Sequence, residues 1–177
     1  TGARARTFPG AQLDGVFVLR TIDDALALKA ALEAKPRVVV IGAGFIGSEV
    51  AATCKALEVD VTIVEALDVP LLRVLGPQLG AICGDLHRHH GVRLELGHGV
   101  AGLVGDKAVE GVELTDGTVV PADVVVVGIG VIPNTEWLEG CGLDINDGVV
   151  CDRTCAAEGA DDVVAAGDIA RWYNTLF

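Results

Sequence analysis

One unit, Val38 to Glu65, restricts what this chain can fold into more than any other stretch. Four β-branched residues, Val38 to Ile41, run straight into Gly42-Ala43-Gly44-Phe45-Ile46-Gly47. A helical pattern follows to about Leu57, and a second apolar run, Val61 to Val64, ends on the acid Glu65. A strand, a Gly-x-Gly-x-x-Gly turn, a helix and a strand closed by a carboxylate match the βαβ dinucleotide-binding unit. Each part has a physical task. Gly42 permits the tight turn, Gly44 lets the backbone approach a pyrophosphate, and Gly47 lets the helix pack against the strand. The helix N-terminus, with Phe45 and Ile46 in its first turn, offers free N–H groups and a partial positive charge to phosphates. Glu65 lies 18 residues beyond Gly47, where its carboxylate can accept hydrogen bonds from both hydroxyls of an adenosine ribose. A carboxylate there would repel the 2′-phosphate of NADPH, so the expected cofactor is NAD(H).

The rest of the chain is consistent with such a unit. Of its 177 residues 51% are apolar, a share that suits strands covered on both faces, and no apolar run approaches the ~20 residues of a membrane span. A net charge of -12 argues against a nucleic-acid backbone as partner. The first residues do not read as a signal peptide, and five unevenly spaced cysteines do not suggest a secreted disulfide framework, so a cytoplasmic setting is expected. The chain contains no methionine and starts at Thr1, which leads to the expectation of a processed or cut piece of a longer protein.

Thr21-Ile22-Asp23-Asp24 reads as a capped helix start, with Ala25, Leu28 and Leu32 on one face of a helix running to about Ala34. Pro77 is expected to open another helix that ends near His90, with Gly91 as its left-handed cap. Val92 to Leu96 is a third strand. From Gly99 to Val120 the rhythm shortens: strands near Gly99–Val104, Val109–Leu114 and Val119–Val120 are divided by Gly105-Asp106 and Asp116-Gly117 turns. Val124 to Val127 then runs into Gly128-Ile129-Gly130, at the sheet edge where α/β proteins bind ligands. The fold class is α/β: a Rossmann-like parallel sheet whose last crossover is a three-stranded antiparallel β-meander.

That arrangement, followed by Val131-Ile132-Pro133-Asn134, resembles the NAD domain of the FAD-dependent pyridine nucleotide-disulfide oxidoreductases, the glutathione-reductase-like fold. Thr1-Gly2-Ala3-Arg4 resembles the tail of that family's Ala-Thr-Gly segment, and Val163 to Asp168 its second flavin motif. The resemblance implies residues 1–17 as a remnant of the FAD domain, 18–137 as the NAD(H) domain and 138–177 as the return into the FAD domain. It implies FAD contacts at Thr1, Gly2, Arg4, Gly167 and Asp168. Glu49 would lie beside the nicotinamide and orient its carboxamide, although the helix dipole alone would also favour an acid in a first turn. Near Val69 the ferredoxin-reductase branch of this family often carries an arginine after the ribose acid; Arg73 is the candidate here.

Phe8-Pro9-Gly10, Leu19 to Ala25, Gly167 to Trp172 and Leu176-Phe177 are similar to the ferredoxin-reductase branch. That branch passes electrons from NADH through FAD to a ferredoxin or rubredoxin serving an oxygenase such as a cytochrome P450. An NADH oxidase or coenzyme-A-disulfide reductase of the same fold, or a nucleotide-binding module without catalysis, is the alternative. This chain alone is expected to bind nucleotide without turnover. Cys151 and Cys155 have neither redox spacing known for the superfamily, follow what reads as a surface strand, and are expected to be structural or incidental. His87, His89 and His90 lack an obvious further ligand, and no metal is expected. Apolar stretches of the flanking pieces, such as Val163 to Ala166, are expected to repack, become disordered or associate with a second copy.

Overall fold

The structure is a computed structural model and describes residues 2–6 and 9–174. The expected flavin contact at Thr1, and Phe8 and Leu176-Phe177 of the branch motifs, lie outside the described residues. In chain order the strands are β1 (Ala3–Ala5), β2 (Val16–Phe17), β3 (Arg37–Ile41), β4 (Asp60–Glu65), β5 (Arg93–Leu96) and β6 (Val100–Gly105). They continue as β7 (Val109–Leu114), β8 (Val119–Pro121), β9 (Val124–Val127), β10 (Val131–Pro133), β11 (Val149–Cys151) and β12 (Ala170–Trp172). The helices are α1 (Ile22–Leu32), α2 (Phe45–Ala56) and α3 (Leu72–His89). Two compact units result, one of residues 7–130 and one joining residues 1–6 to 131–177.

In the larger unit five strands form a wholly parallel sheet in the order β2-β9-β3-β4-β5. Side chains alternate across it, as the two-residue period requires. Val38, Val40, Val61, Ile63, Val124 and Val126 meet the helix layer through Leu28, Leu32, Val50, Ala51 and Cys54. Val39, Ile41, Val64, Val125 and Val127 face the other way, onto Val109, Val112 and Leu114 of the antiparallel β6-β7-β8 meander. Covering on both faces explains why these strands read as unbroken valine and isoleucine. β2 was not evident in the sequence. It pairs with β9 in the parallel sheet of the compact unit of residues 7–130.

The local signals have clear physical causes. Thr21 Oγ1 accepts from the Asp24 N–H (3.1 Å) and Asp24 Oδ2 accepts from the Thr21 N–H (2.9 Å), a reciprocal capping box. The Thr21 and Arg20 backbone donors hold the Asp24 carboxyl below the usual range. α1 stops two residues short of Ala34, because Lys35 turns left-handed (φ 53°) ahead of Pro36. α3 starts earlier than Pro77 suggested. A turn from Leu72 precedes a break at Gly76 (φ 72°, ψ 176°), and Pro77 then opens the regular helix. Gly91 has the expected positive φ, 78°.

α3 lies close to Pro70 through buried Gly80, where a Cβ would come within 2.5 Å of the Pro70 carbonyl oxygen. Gly80→Ala gains ~1 kcal/mol of helix propensity but overpacks this contact by about 1–3 kcal/mol. A lower denaturant midpoint at unchanged slope is the expected result.

Arg37 and Asp123 join the starts of β3 and β9. The Arg37 N–H and Nε donate to Asp123 Oδ2 at 2.9 Å each, and Nη2 donates to Oδ1. These bonds pull the Asp123 pKa down to about 2. The native state therefore gains from ionised Asp123 above the unfolded carboxylate pKa of ~3.9, and loses that gain as pH falls towards 2. Thermal midpoints of wild type and Asp123→Asn should differ slightly at pH 5, since the pair is half-exposed, and converge near pH 2.

The smaller unit pairs β1 with β10 antiparallel and β11 with β12 parallel. Its core is Leu138, Val149, Cys151, Ala157 and Ile169. This corrects the sequence reading of a surface strand after Gly148, because Val149 and Cys151 are 2% and 5% exposed. Ala165 packs on that core while Val164 is 75% exposed. Among the described residues no helix is long and apolar enough to cross a membrane.

Candidate dinucleotide-binding site

The three glycines of the turn after β3 differ in their surroundings. Gly42 is left-handed (φ 100°), donates its N–H to the Val64 carbonyl (2.8 Å), and would bring a Cβ within 2.6 Å of the Gly128 oxygen. Gly47 would place a Cβ 2.0 Å from the Gly42 oxygen, so the α2–β3 contact admits no side chain. Gly44 caps α2 in extended conformation (φ -75°, ψ -170°), and a Cβ there would meet nothing within 4 Å. Two glycines are filled in by neighbours and one opens outward. The Ser48 N–H already donates to the Gly44 carbonyl (2.9 Å), which leaves the N–H groups of Phe45, Ile46 and Gly47 without intrahelical acceptors. This opening can take a pyrophosphate.

Glu65 stands at the end of β4, half-buried, with both carboxylate oxygens engaged. Oε2 accepts from the Ala43 N–H at 2.7 Å and Oε1 from the Leu67 N–H at 3.0 Å. Each oxygen keeps a further acceptor site for a ligand hydroxyl. Ala43 is a junction, because its carbonyl accepts from the Leu71 N–H (3.0 Å), and Leu71 caps α3 in the left-handed region (φ 55°). The exposed Arg73 follows two residues later, on the turn tied to Ala43. The Gly128 N–H donates to the Ile41 carbonyl (2.8 Å), and a Cβ on Gly128 would lie 3.7 Å from the Gly47 nitrogen. Gly128, exposed Ile129 and left-handed Gly130 thus follow β9 beside the glycine turn. Phe45 (57% exposed) and Ile46 (38% exposed) present apolar surface from the first turn of α2.

Glu49 differs from the expectation. It is the fifth residue of α2, so the first turn holds no acid and a dipole explanation for its presence loses force. Its side chain is exposed. Ser48 Oγ, by contrast, is buried in α2 and has no hydrogen-bond partner among the described residues.

The flavin candidates belong to the smaller unit. The Gly2 carbonyl accepts from the Asn134 N–H (2.8 Å), and the Arg4 guanidinium donates to Asn134 Oδ1 (2.8 Å) and Glu136 Oε1. Arg4 holds the Glu136 carboxyl below its usual range. Gly167 (φ 74°) starts a single 3-10 turn, Gly167–Ile169, that carries exposed Asp168 into β12.

The chain matches the model of the family described as pyridine nucleotide-disulphide oxidoreductase over residues 1–176. It belongs to that family. It is 44% identical over 174 residues to the ferredoxin reductase component of chlorobenzene dioxygenase from Cupriavidus sp. (strain PS12), covering 97% of this chain and 42% of the relative. It is 37% identical over 186 residues to putidaredoxin reductase from Pseudomonas putida, covering 100% of this chain and 44% of that one. Among solved structures, the covalent putidaredoxin reductase–putidaredoxin complex superposes with a TM-score of 0.90 at 36% identity, over 99% of this chain and 44% of that one. The chain spans less than half the length of these relatives.

Two side-chain groups of this pyridine nucleotide-disulphide oxidoreductase, a cysteine pair and a histidine group, belong to β11 with its following turn and to the end of α3. The buried Cys151 thiol donates to the Val149 carbonyl (3.3 Å) and is pushed up by burial, while Cys155 is half-buried. His87, His89 and His90 close α3, and burial, then the neighbouring His90, lowers the His87 pKa. No group of three His, Cys, Asp or Glu suited to a metal occurs among the described residues. Ala43, Leu67 and Leu71 are the site residues that sequence reasoning missed. They act through backbone groups, which any residue type supplies.

Proposed function

We propose that this chain is the NADH-binding part of an FAD-dependent reductase that passes electrons to a ferredoxin- or rubredoxin-type protein serving an oxygenase, such as a cytochrome P450. The observation that carries the reading is the Glu65 carboxylate, fixed by Ala43 and Leu67 beside the open face at Gly44. A ribose with both hydroxyls free suits those oxygens, and a 2′-phosphate does not. The identity to ferredoxin reductase components over 97% of the chain supports the electron-transfer assignment.

In this reading Gly42, Gly44, Phe45, Ile46 and Gly47 bind the pyrophosphate, with Arg73 as a further cation. Gly128, Ile129 and Gly130 border the nicotinamide half, and Glu49 orients its carboxamide. Residues 18–137 form the NAD(H) portion. Residues 1–17 and 138–177 belong to the FAD portion, with Gly2, Arg4, Gly167 and Asp168, and Thr1 beyond the described residues, towards the flavin. When bound, the nicotinamide supplies a hydride and the flavin divides its two electrons into single transfers. The residues of this chain hold, orient and exclude water, and need supply no acid or base. A cytoplasmic setting belongs to the same reading, and the five free cysteines fit it.

The test uses the protein that carries this chain, loaded with FAD and mixed anaerobically with one equivalent of NADH. Bleaching of the flavin, followed by reduction of an oxidised [2Fe–2S] ferredoxin, is the expected result. Reduction of oxygen to water or of coenzyme A disulfide, with the ferredoxin untouched, would move the assignment to another branch of the family.

A further inference from the structure

The far end of α2 carries a feature that dinucleotide binding does not use. A groove of about 460 Å3 lies between α2 and α3, floored by buried Val92 and walled by the apolar Ala52, Ala56 and Leu86. Its volume falls in the ~300–1,000 Å3 range of small-molecule clefts. Ala52 and Ala56 are 8 and 12 residues beyond Gly44, about 12–18 Å along the helix axis, so the groove is separate from the glycine turn.

Its ionisable lining is of one kind. Among the described residues Lys55, His87 and His90 are the titratable groups there and no carboxylate lines it, in a chain whose net charge is -12. Among the described residues none of the three takes part in an ion pair. The neighbouring acids are engaged elsewhere: Glu58 with Lys35 at 3.5 Å and Asp85 with Arg88 at 3.0 Å. The Lys55 ammonium lies over the end of α3, 3.6 Å from where a Cβ on Gly91 would stand. Small side chains at 52 and 56 keep the space open, and the lack of a carboxylate leaves these bases free to meet an anion.

We propose that this groove binds a small organic monoanion, an apolar body bearing one carboxylate or sulfonate, with the body on Ala52, Ala56, Leu86 and Val92 and the anionic group at Lys55 and His90. A bare inorganic anion would leave the apolar walls unused, and a neutral apolar molecule would leave the bases unused.

The probe is 8-anilinonaphthalene-1-sulfonate, titrated into the whole chain by fluorescence, with uncharged N-phenyl-1-naphthylamine as its neutral counterpart. One site per chain is expected, with the anion preferred by about tenfold or more. The double variant Lys55→Gln/His90→Gln should bring the two probes level. Ala56→Trp should abolish binding of both by filling the groove, and Ala52→Leu should weaken both if the tryptophan variant misfolds. Saturating NADH should leave the probe in place. Equal affinity for the two probes, persistence of binding in both filling variants, or displacement by NADH would each overturn the proposal.

Discussion

Glu65→Gln is expected to weaken NADH binding by about tenfold or more and to lower stability by about 1–3 kcal/mol. The substitution keeps shape and removes one acceptor. Both carboxylate oxygens receive a backbone N–H, from Ala43 at 2.7 Å and from Leu67 at 3.0 Å. A glutamine can accept from only one of them and turns its NH2 group towards the other, leaving two donors face to face. The glycine turn is anchored through Ala43, so its geometry should loosen together with the ribose contact. Loss of the charge also removes the repulsion of a 2′-phosphate, so NADPH should lose less than NADH. Denaturant unfolding and paired nucleotide titrations read both effects. A variant as stable as wild type, with unchanged preference for NADH, would contradict the assigned role.

A second large contrast separates two glycines of the same turn. Gly44→Ala should leave stability nearly unchanged. Its φ of -75° suits any residue and a Cβ would meet nothing within 4 Å. Losing a preferred N-cap residue and losing unfolded-state freedom oppose one another at under about 1 kcal/mol each. The methyl group nevertheless enters the space through which a pyrophosphate would approach, and NADH affinity should fall about tenfold. Gly47→Ala should damage both properties. Its Cβ would lie 2.0 Å from a backbone oxygen, so α2 must move away from the turn, at about 1–3 kcal/mol. Normal NADH binding by Gly44→Ala would mean that no ligand approaches at that face.

These contrasts also mark how far the sequence alone was informative. Gly42, Gly44, Gly47 and Glu65 could be picked out because residue type carries the role proposed for them: positive φ, absent Cβ or a carboxylate at a strand end. The alternating faces of β3, β4 and β9 were not, since a sheet covered on both sides leaves no alternation in its sequence. The holding of Glu65 by Ala43 and Leu67 was hidden because backbone N–H groups have no sequence signature. Leu71 in the left-handed region (φ 55°) goes against the preference of its residue type. β2 is two residues long, too short for any periodicity. Val149 was misplaced on a surface because the small core it joins draws on Leu138 and Ile169, remote in sequence.

Calorimetric titration of the folded chain with NADH and with NADPH tests the central claim most directly. NADH should bind with NADPH at least about tenfold weaker, a gap of ~1.4 kcal/mol, if Glu65 accepts from a free 2′-hydroxyl and repels a phosphate as proposed. NADPH binding as tight as NADH, or a folded chain that binds neither, would contradict the account of the glycine turn and Glu65.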